Sequence, residues 1–306
     1  MNRALTLLKD RRVRAALVIV IVGATLAIFG YYLATHPDIV PLILSIHPAA
    51  LALMALAYIG TIVANAVVLG ASLRMIGKQV SFGENLSLTG YSSVVNFFGP
   101  LQSGPGFRAA YLKARHGLGI GKFFYATAVF YGFFALINTF IIVIAMIVRA
   151  PNNLAPLLAI GFALAIVASL LLVYRLVPRA RRIMQAVRFS DPNLWFIALG
   201  AFSLSLCTAA AYYVEILHVD TSVNFVQTIV YAAAANLALF VSLTPGAIGF
   251  RESFLLLTQQ LHGIPSDVVL AASIIDRAFY VVFLLAMFLL LLAFGVRTKL
   301  DASKRT

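Results

Sequence analysis

The chain has 306 residues, 62% apolar and 11% charged, and a mean hydropathy of +0.99. So few charged side chains cannot surface a water-soluble particle of this size, so lipid covers most of it, and a soluble enzyme, a secreted disulfide scaffold and a disordered chain are excluded. The formal net charge of +13, from 23 Lys and Arg against 10 Asp and Glu, then reflects basic loops on the cytoplasmic side of a membrane and not nucleic acid as a partner.

The first apolar run, Val13 to Ala34, follows Arg3, Lys9, Arg11, Arg12 and Arg14 and has the length of a bilayer-spanning signal anchor. The next segment, His36 to Pro48, has no Lys or Arg and is assigned outside. A second run, Ala49 to Leu73, returns to Arg74 and Lys78. Similar runs recur near Phe123 to Val148, Leu154 to Tyr174, Leu194 to Ile216 and Val268 to Phe294. The reading is about six full transmembrane helices.

Two further apolar segments, Leu86 to Phe107 and Phe225 to Leu261, are broken by Pro and Gly. The first holds Gly99, Pro100, Gly104, Pro105 and Gly106; the second holds Pro245, Gly246 and Gly249. A helix does not run unbroken through such clusters. The piece after the second break, Arg251 to His262, rises only about 18 Å as a helix, too short for a hydrocarbon core of about 30 Å. Both segments are therefore expected to be re-entrant helix pairs, the first from the cytoplasm and the second from outside.

With the N-terminus inside, all of the 23 Lys and Arg except Arg149, Arg251 and Arg277 fall in cytoplasmic stretches. Both termini are thus expected in the cytoplasm of a multi-pass protein of the cell (plasma) membrane. The broken segments also share an order of residues: Asn96, Pro100 and Gly106-Phe107-Arg108 in one, Asn236, Pro245 and Gly249-Phe250-Arg251 in the other. Residues 1–306 are read as a single all-α integral membrane domain, with inverted repeats about 13–150 and 154–295. Inverted repeats with discontinuous helices place transport sites near the bilayer midplane, where half-helix N-termini favour anions.

Charge inside a bilayer is costly and needs a partner or a task. Arg251 and Glu252 lie at the second break, and Asp276 and Arg277 lie about 14 Å into the last span. They either form a self-satisfied network or bind a phosphate-bearing substrate, Arg being able to hold a phosphate bidentately. Arg108 either snorkels to the cytoplasmic surface or makes the matching contact of the first repeat. Asn96 and Asn236 are further substrate-binding candidates, with satisfaction of backbone groups at the breaks as the competing role. Asn138 reads as glue between helices, Glu215 and His218 as solvated boundary residues, and Cys207 as a small buried hydrophobe. No metal site or cofactor is indicated: the five His lack ligand spacing, and Gly117, Gly119 and Gly121 follow no strand and precede Lys122-Phe123 where a phosphate loop has Ser or Thr after Lys.

The stretch Pro245-Gly246-Ala247-Ile248-Gly249-Phe250-Arg251-Glu252, with Gly263-Ile264-Pro265 and Asp276-Arg277, resembles the flippase-like transmembrane domain of the lysylphosphatidylglycerol synthase family, and Asn96, Pro100 and Arg108 resemble its first signature. This chain departs from the pattern at Gly106-Phe107, where the family commonly has Gly-Glu, and at Phe130-Tyr131-Gly132, where Arg and an acid are usual. Members with a soluble aminoacyltransferase domain make and translocate a charged lipid; this chain ends at Thr306, soon after its last span, so a stand-alone member is expected. The resemblance implies a flippase-like transporter, and no enzyme, moving a phospholipid or polyprenyl-phosphate-type lipid, or a lipid-linked headgroup, between leaflets. The alternatives are a non-catalytic membrane partner of a separately encoded glycosyl- or aminoacyltransferase, and an intramembrane lipid-headgroup transferase with Glu252 or Asp276 as general base.

Overall fold

A computed structural model of the chain describes residues 41, 44–99, 103–149, 190–241, 247 and 249–303. The first apolar run, the run expected at Leu154 to Tyr174, and the break residues Pro100, Pro245 and Gly246 lie outside the described residues. Among the described residues every regular element is helical: α1 (Pro48–Met75), α2 (Phe82–Phe98), α3 (Ser103–His116), α4 (Ile120–Arg149), α5 (Pro192–Val219), α6 (Phe225–Ala238) with a 3₁₀ turn at Leu239–Val241, α7 (Phe250–Leu257), α8 (Gln259–His262) and α9 (Ser266–Ser303).

Helix starts follow local chemistry. Pro48 and Pro192 occupy first-turn positions that need no N–H, behind the caps His47 and Asp191, whose side chains accept from Ala49 N and Asn193 N. Asn224 and Gln227 cap α6 reciprocally at 3.0 Å each. α1, α4, α5 and α9 are long and apolar enough to cross a membrane. Their outward faces carry apolar side chains at helical spacing: Leu53, Leu56, Ile59 and Val63 on α1, Leu136, Phe140, Ile144 and Ile147 on α4, and Trp195, Leu199, Phe202 and Leu206 on α5. Such exposed stripes suit an apolar surrounding and not water.

Inside, small residues let helices approach closely. A Cβ on Gly200 of α5 would meet Val68 Cγ2 of α1 at 2.4 Å, and one on Gly60 of α1 would meet Cys207 Sγ at 2.8 Å. Ala71 and Ala201 are fully buried in the layer that α1, α4 and α5 share with Phe130 and Phe134. A second core joins α4, α5, α6, α7 and α9 through Tyr212, Ile216, Ala232 to Ala235, Leu255 and Ala272.

Polar contacts fix which helix ends lie together. At one end, Arg74 Nε of α1 donates to Asn193 Oδ1 of α5 at 3.0 Å, and Lys78 Nζ donates to the His116 carbonyl at 3.3 Å. There Glu84, at the start of α2, accepts from Tyr111 Oη and pairs with His116 Nε2, both at 2.8 Å, so α2 and α3 form a hairpin whose base is at this basic end. At the other end of α5, Gln227 Nε2 of α6 donates to the Gly263 carbonyl after α8 at 3.3 Å, closing the base of a second hairpin formed by α6, α7 and α8. The two hairpins therefore start from opposite ends of α5.

Two details differ from expectation. Gly106, taken as a helix-break residue, lies in the first turn of α3: Pro105 is tolerated where the N–H has no intrahelical partner, so Pro and Gly start this helix instead of interrupting it. The segment Arg251 to His262 is two pieces. Its turn at Thr258 returns the hydroxyl to the Phe254 carbonyl at 2.8 Å.

Candidate functional site

Described residues on either side of the two breaks line a common cavity of about 280 Å³. Asn96, Pro105 and Arg108 line it from the first hairpin, Asn236, Leu239, Ala247 and Arg251 from the second, and Asp276, Arg277 and Tyr280 from α9. The first tip is tight because Gly104 leaves no room for a Cβ, which would stand 2.8 Å from the Ser92 carbonyl oxygen and 2.9 Å from Asn96 Cβ. Gly104 N donates to Asn96 Oδ1 at 3.3 Å and Ser103 Oγ donates to the Val95 carbonyl at 2.8 Å, so polar groups on both sides of the break satisfy one another. At the second tip Gly249 has φ +82, a left-handed conformation that an L side chain strains, and its N–H donates to Glu252 Oε2 at 2.8 Å.

The four charges flagged in the sequence meet as two linked pairs. Glu252, held by its contact with Gly249, accepts from Arg277 Nε at 3.1 Å. Arg251 pairs through Nη1 with Asp276 Oδ2, donates to Tyr212 Oη at 3.1 Å, and lies over the Tyr212 ring at 5.6 Å. Its Nε stands 3.6 Å from Glu252 Oε1, joining the pairs, and makes no hydrogen bond among the described residues. Arg251 is 8% and Asp276 4% exposed, so each guanidinium and carboxylate depends on the other for solvation.

Arg108 is different. Its Nε donates to Ser92 Oγ at 2.8 Å, Tyr131 is its neighbour across the cavity lining, and no carboxylate among the described residues pairs with it. It is among the residues that line the cavity. Asn236 donates to Asn138 Oδ1 at 3.0 Å, and Asn138 donates to the Phe134 carbonyl at 2.7 Å and to Ser205 Oγ at 3.1 Å. Asn138 thus joins α4, α5 and α6, with Asn236 between this bridge and the cavity.

Two residues were missed by sequence reasoning. Glu215, expected at a solvated boundary, is 1% exposed and packs against Tyr58 and Asp276, because α5 continues to Val219 and places Glu215 one turn inside its end. Tyr58 of α1 donates to Asp276 Oδ1 and lies 3.3 Å from Glu215 Oε1. The available signal was the spacing of Glu215 from Tyr212, three residues along one helix face. His262, by contrast, is fully buried and satisfied: Nδ1 accepts from Ile264 N at 3.1 Å, so Nε2 carries the hydrogen toward the Leu255 carbonyl at 3.0 Å.

The profile of the family described as "Lysylphosphatidylglycerol synthase TM region" matches residues 13–287. Among curated proteins, a "UPF0104 membrane protein" of Methanothermobacter thermautotrophicus is 35% identical over 83 residues, which cover 27% of this chain and 23% of that protein. The match thus spans less than a quarter of that relative's length.

Proposed function

The chain belongs to the lysylphosphatidylglycerol synthase TM family and is a multi-pass membrane protein, and from that premise we propose that it moves a phosphate-bearing lipid or lipid-linked headgroup between leaflets, without covalent chemistry. Arg108 carries this reading. A guanidinium in an intramembrane cavity, with a hydroxyl but no carboxylate beside it among the described residues, is a vacant contact for an anion. Arg251 and Arg277 across the cavity add positive charge that Asp276 and Glu252 hold in place until an anion competes for it.

The topology in this reading has two re-entrant hairpins entering from opposite membrane faces as halves of an inverted repeat. It is supported by hairpin bases tied to opposite ends of α5 and by residues flanking both breaks that line one cavity. The end that gathers Arg74, Lys78, Arg115 and Lys122 is the cytoplasmic one, the side that basic residues favour, and the membrane is the plasma membrane.

The test is leaflet exchange of an acyl-labelled phosphatidylglycerol in vesicles containing the purified protein. Removing one charge-assisted hydrogen bond costs about 1.5 to 3 kcal/mol, so Arg108→Ala is expected to slow exchange about tenfold or more, with partial recovery in Arg108→Lys. Unchanged exchange in Arg108→Ala overturns the role of Arg108, and no exchange above protein-free vesicles with the native protein overturns transport of this lipid.

A further inference from the structure

Beside the cavity, Tyr58 bridges two carboxyl groups, and its single hydroxyl hydrogen decides their protonation. Tyr58 Oη donates to Asp276 Oδ1, so the 3.3 Å contact with Glu215 Oε1 lacks a hydrogen unless Glu215 supplies one. Charge counting gives the same answer. An ionised Glu215 stands beside the Asp276 carboxylate and adds a second negative charge there, at a site 1% exposed. The groups facing Glu215 are Tyr58 from α1, Asp276 from α9, Arg251 from α7, Tyr231 from α6 and Tyr212 from its own helix, and the one cation among them already pairs with Asp276.

We propose that Glu215, Tyr58 and Asp276 form a proton relay that switches Arg251 between a closed ion pair and an anion-binding state. In the resting arrangement Glu215 is a neutral acid donating to Tyr58 Oη, Tyr58 donates to Asp276, and the ionised Asp276 holds Arg251. In the shift, the Glu215 O–H bond breaks and its proton joins the Tyr58 oxygen, while the Tyr58 O–H bond breaks and its proton joins Asp276 Oδ1. The products are a Glu215 carboxylate, an unchanged Tyr58 and a neutral Asp276, with net charge conserved. Arg251 then loses its closest ionised partner, keeps only the longer 3.6 Å ion-pair contact with Glu252, and faces the cavity as a cation. Because Tyr58 and Asp276 line that cavity, the same proton can leave through it, and an anion that binds Arg251 favours a proton on Asp276.

The switch rests on the transport reading above, so its test includes a measurement that needs no transport. Infrared difference spectra of the protein in lipid at neutral pH are expected to show a protonated carboxylic acid band that shifts in deuterated water and disappears in Glu215→Gln. Absence of that band in the native protein overturns the relay whatever the vesicles do. In vesicles, phosphatidylglycerol exchange is expected to respond to an imposed pH gradient and to lose that response in both Glu215→Gln and Tyr58→Phe; the second variant tests the relay if the first fails to fold. Exchange that ignores the gradient overturns the relay and leaves transport standing, whereas a Glu215 band without any lipid exchange keeps the proton site and discards the transported lipid.

Discussion

At the residue scale, the Arg251–Asp276 pair tests how the interior tolerates charge. Both groups are nearly fully buried, so removing one leaves the other desolvated, at a cost of about 3 to 5 kcal/mol, while removing both leaves no orphan charge in that pair. Arg251→Ala and Asp276→Ala are each expected to lower the melting temperature in detergent sharply, with the double variant losing much less than their sum; additive losses contradict a coupled pair. The four charges at 251, 252, 276 and 277 were legible in the sequence because charge in an apolar run stands out. Glu215 was not, since a carboxylate next to a span boundary looks solvated until the helix is seen to run on. Tyr58 was hidden for another reason: an aromatic residue in an apolar helix reads as packing, and only the fold brings α1 against α5 and α9.

At the element scale, the α1–α5 contact depends on Gly200. Replacing it with Leu pushes against Val68, itself 4% exposed, and overpacking of this kind costs about 1 to 3 kcal/mol. Thermal unfolding is expected at lower temperature in Gly200→Leu and to recover in part when Val68→Ala makes room. The α2–α3 hairpin is fastened by charge instead. Burial raises the Glu84 carboxyl, but the hydrogen bonds from His116 and Tyr111 and the charge of Arg115 outweigh it and hold the carboxyl below its usual range. A carboxylate depressed in the folded state contributes stability above its unfolded pKa of about 4.3, and that contribution is lost as the pH falls through the lower, folded value. Amide exchange at the end of α3 is expected to accelerate across that acid window and to lose the dependence in Glu84→Gln; equal pH profiles in the two proteins contradict the fastening. The spans Pro48–Met75, Ile120–Val148, Pro192–Val219 and Ser266–Ala293 were readable within a few residues because length and hydropathy alone define them, whereas the helical continuation of α9 to Ser303 was not. The start of α3 was not, because Gly-Pro-Gly looks like a break whether it precedes a helix or divides one.

At the scale of the whole molecule, the opposed hairpins predict sidedness. In a Cys207→Ala background, a thiol reagent that cannot cross the membrane is expected to label Thr221→Cys on intact cells and to reach Gln79→Cys only after lysis. The reverse pattern inverts the orientation, and labelling of both on intact cells removes the opposition. The cavity between the tips carries a consequence for selectivity. About 280 Å³ lies at the lower edge of small-molecule clefts, and a lipid's long acyl tails do not fit inside it. On the proposed function, a lipid cargo enters by its polar head alone while its tails stay in the hydrocarbon, which predicts discrimination by headgroup size and charge and indifference to chain length and unsaturation.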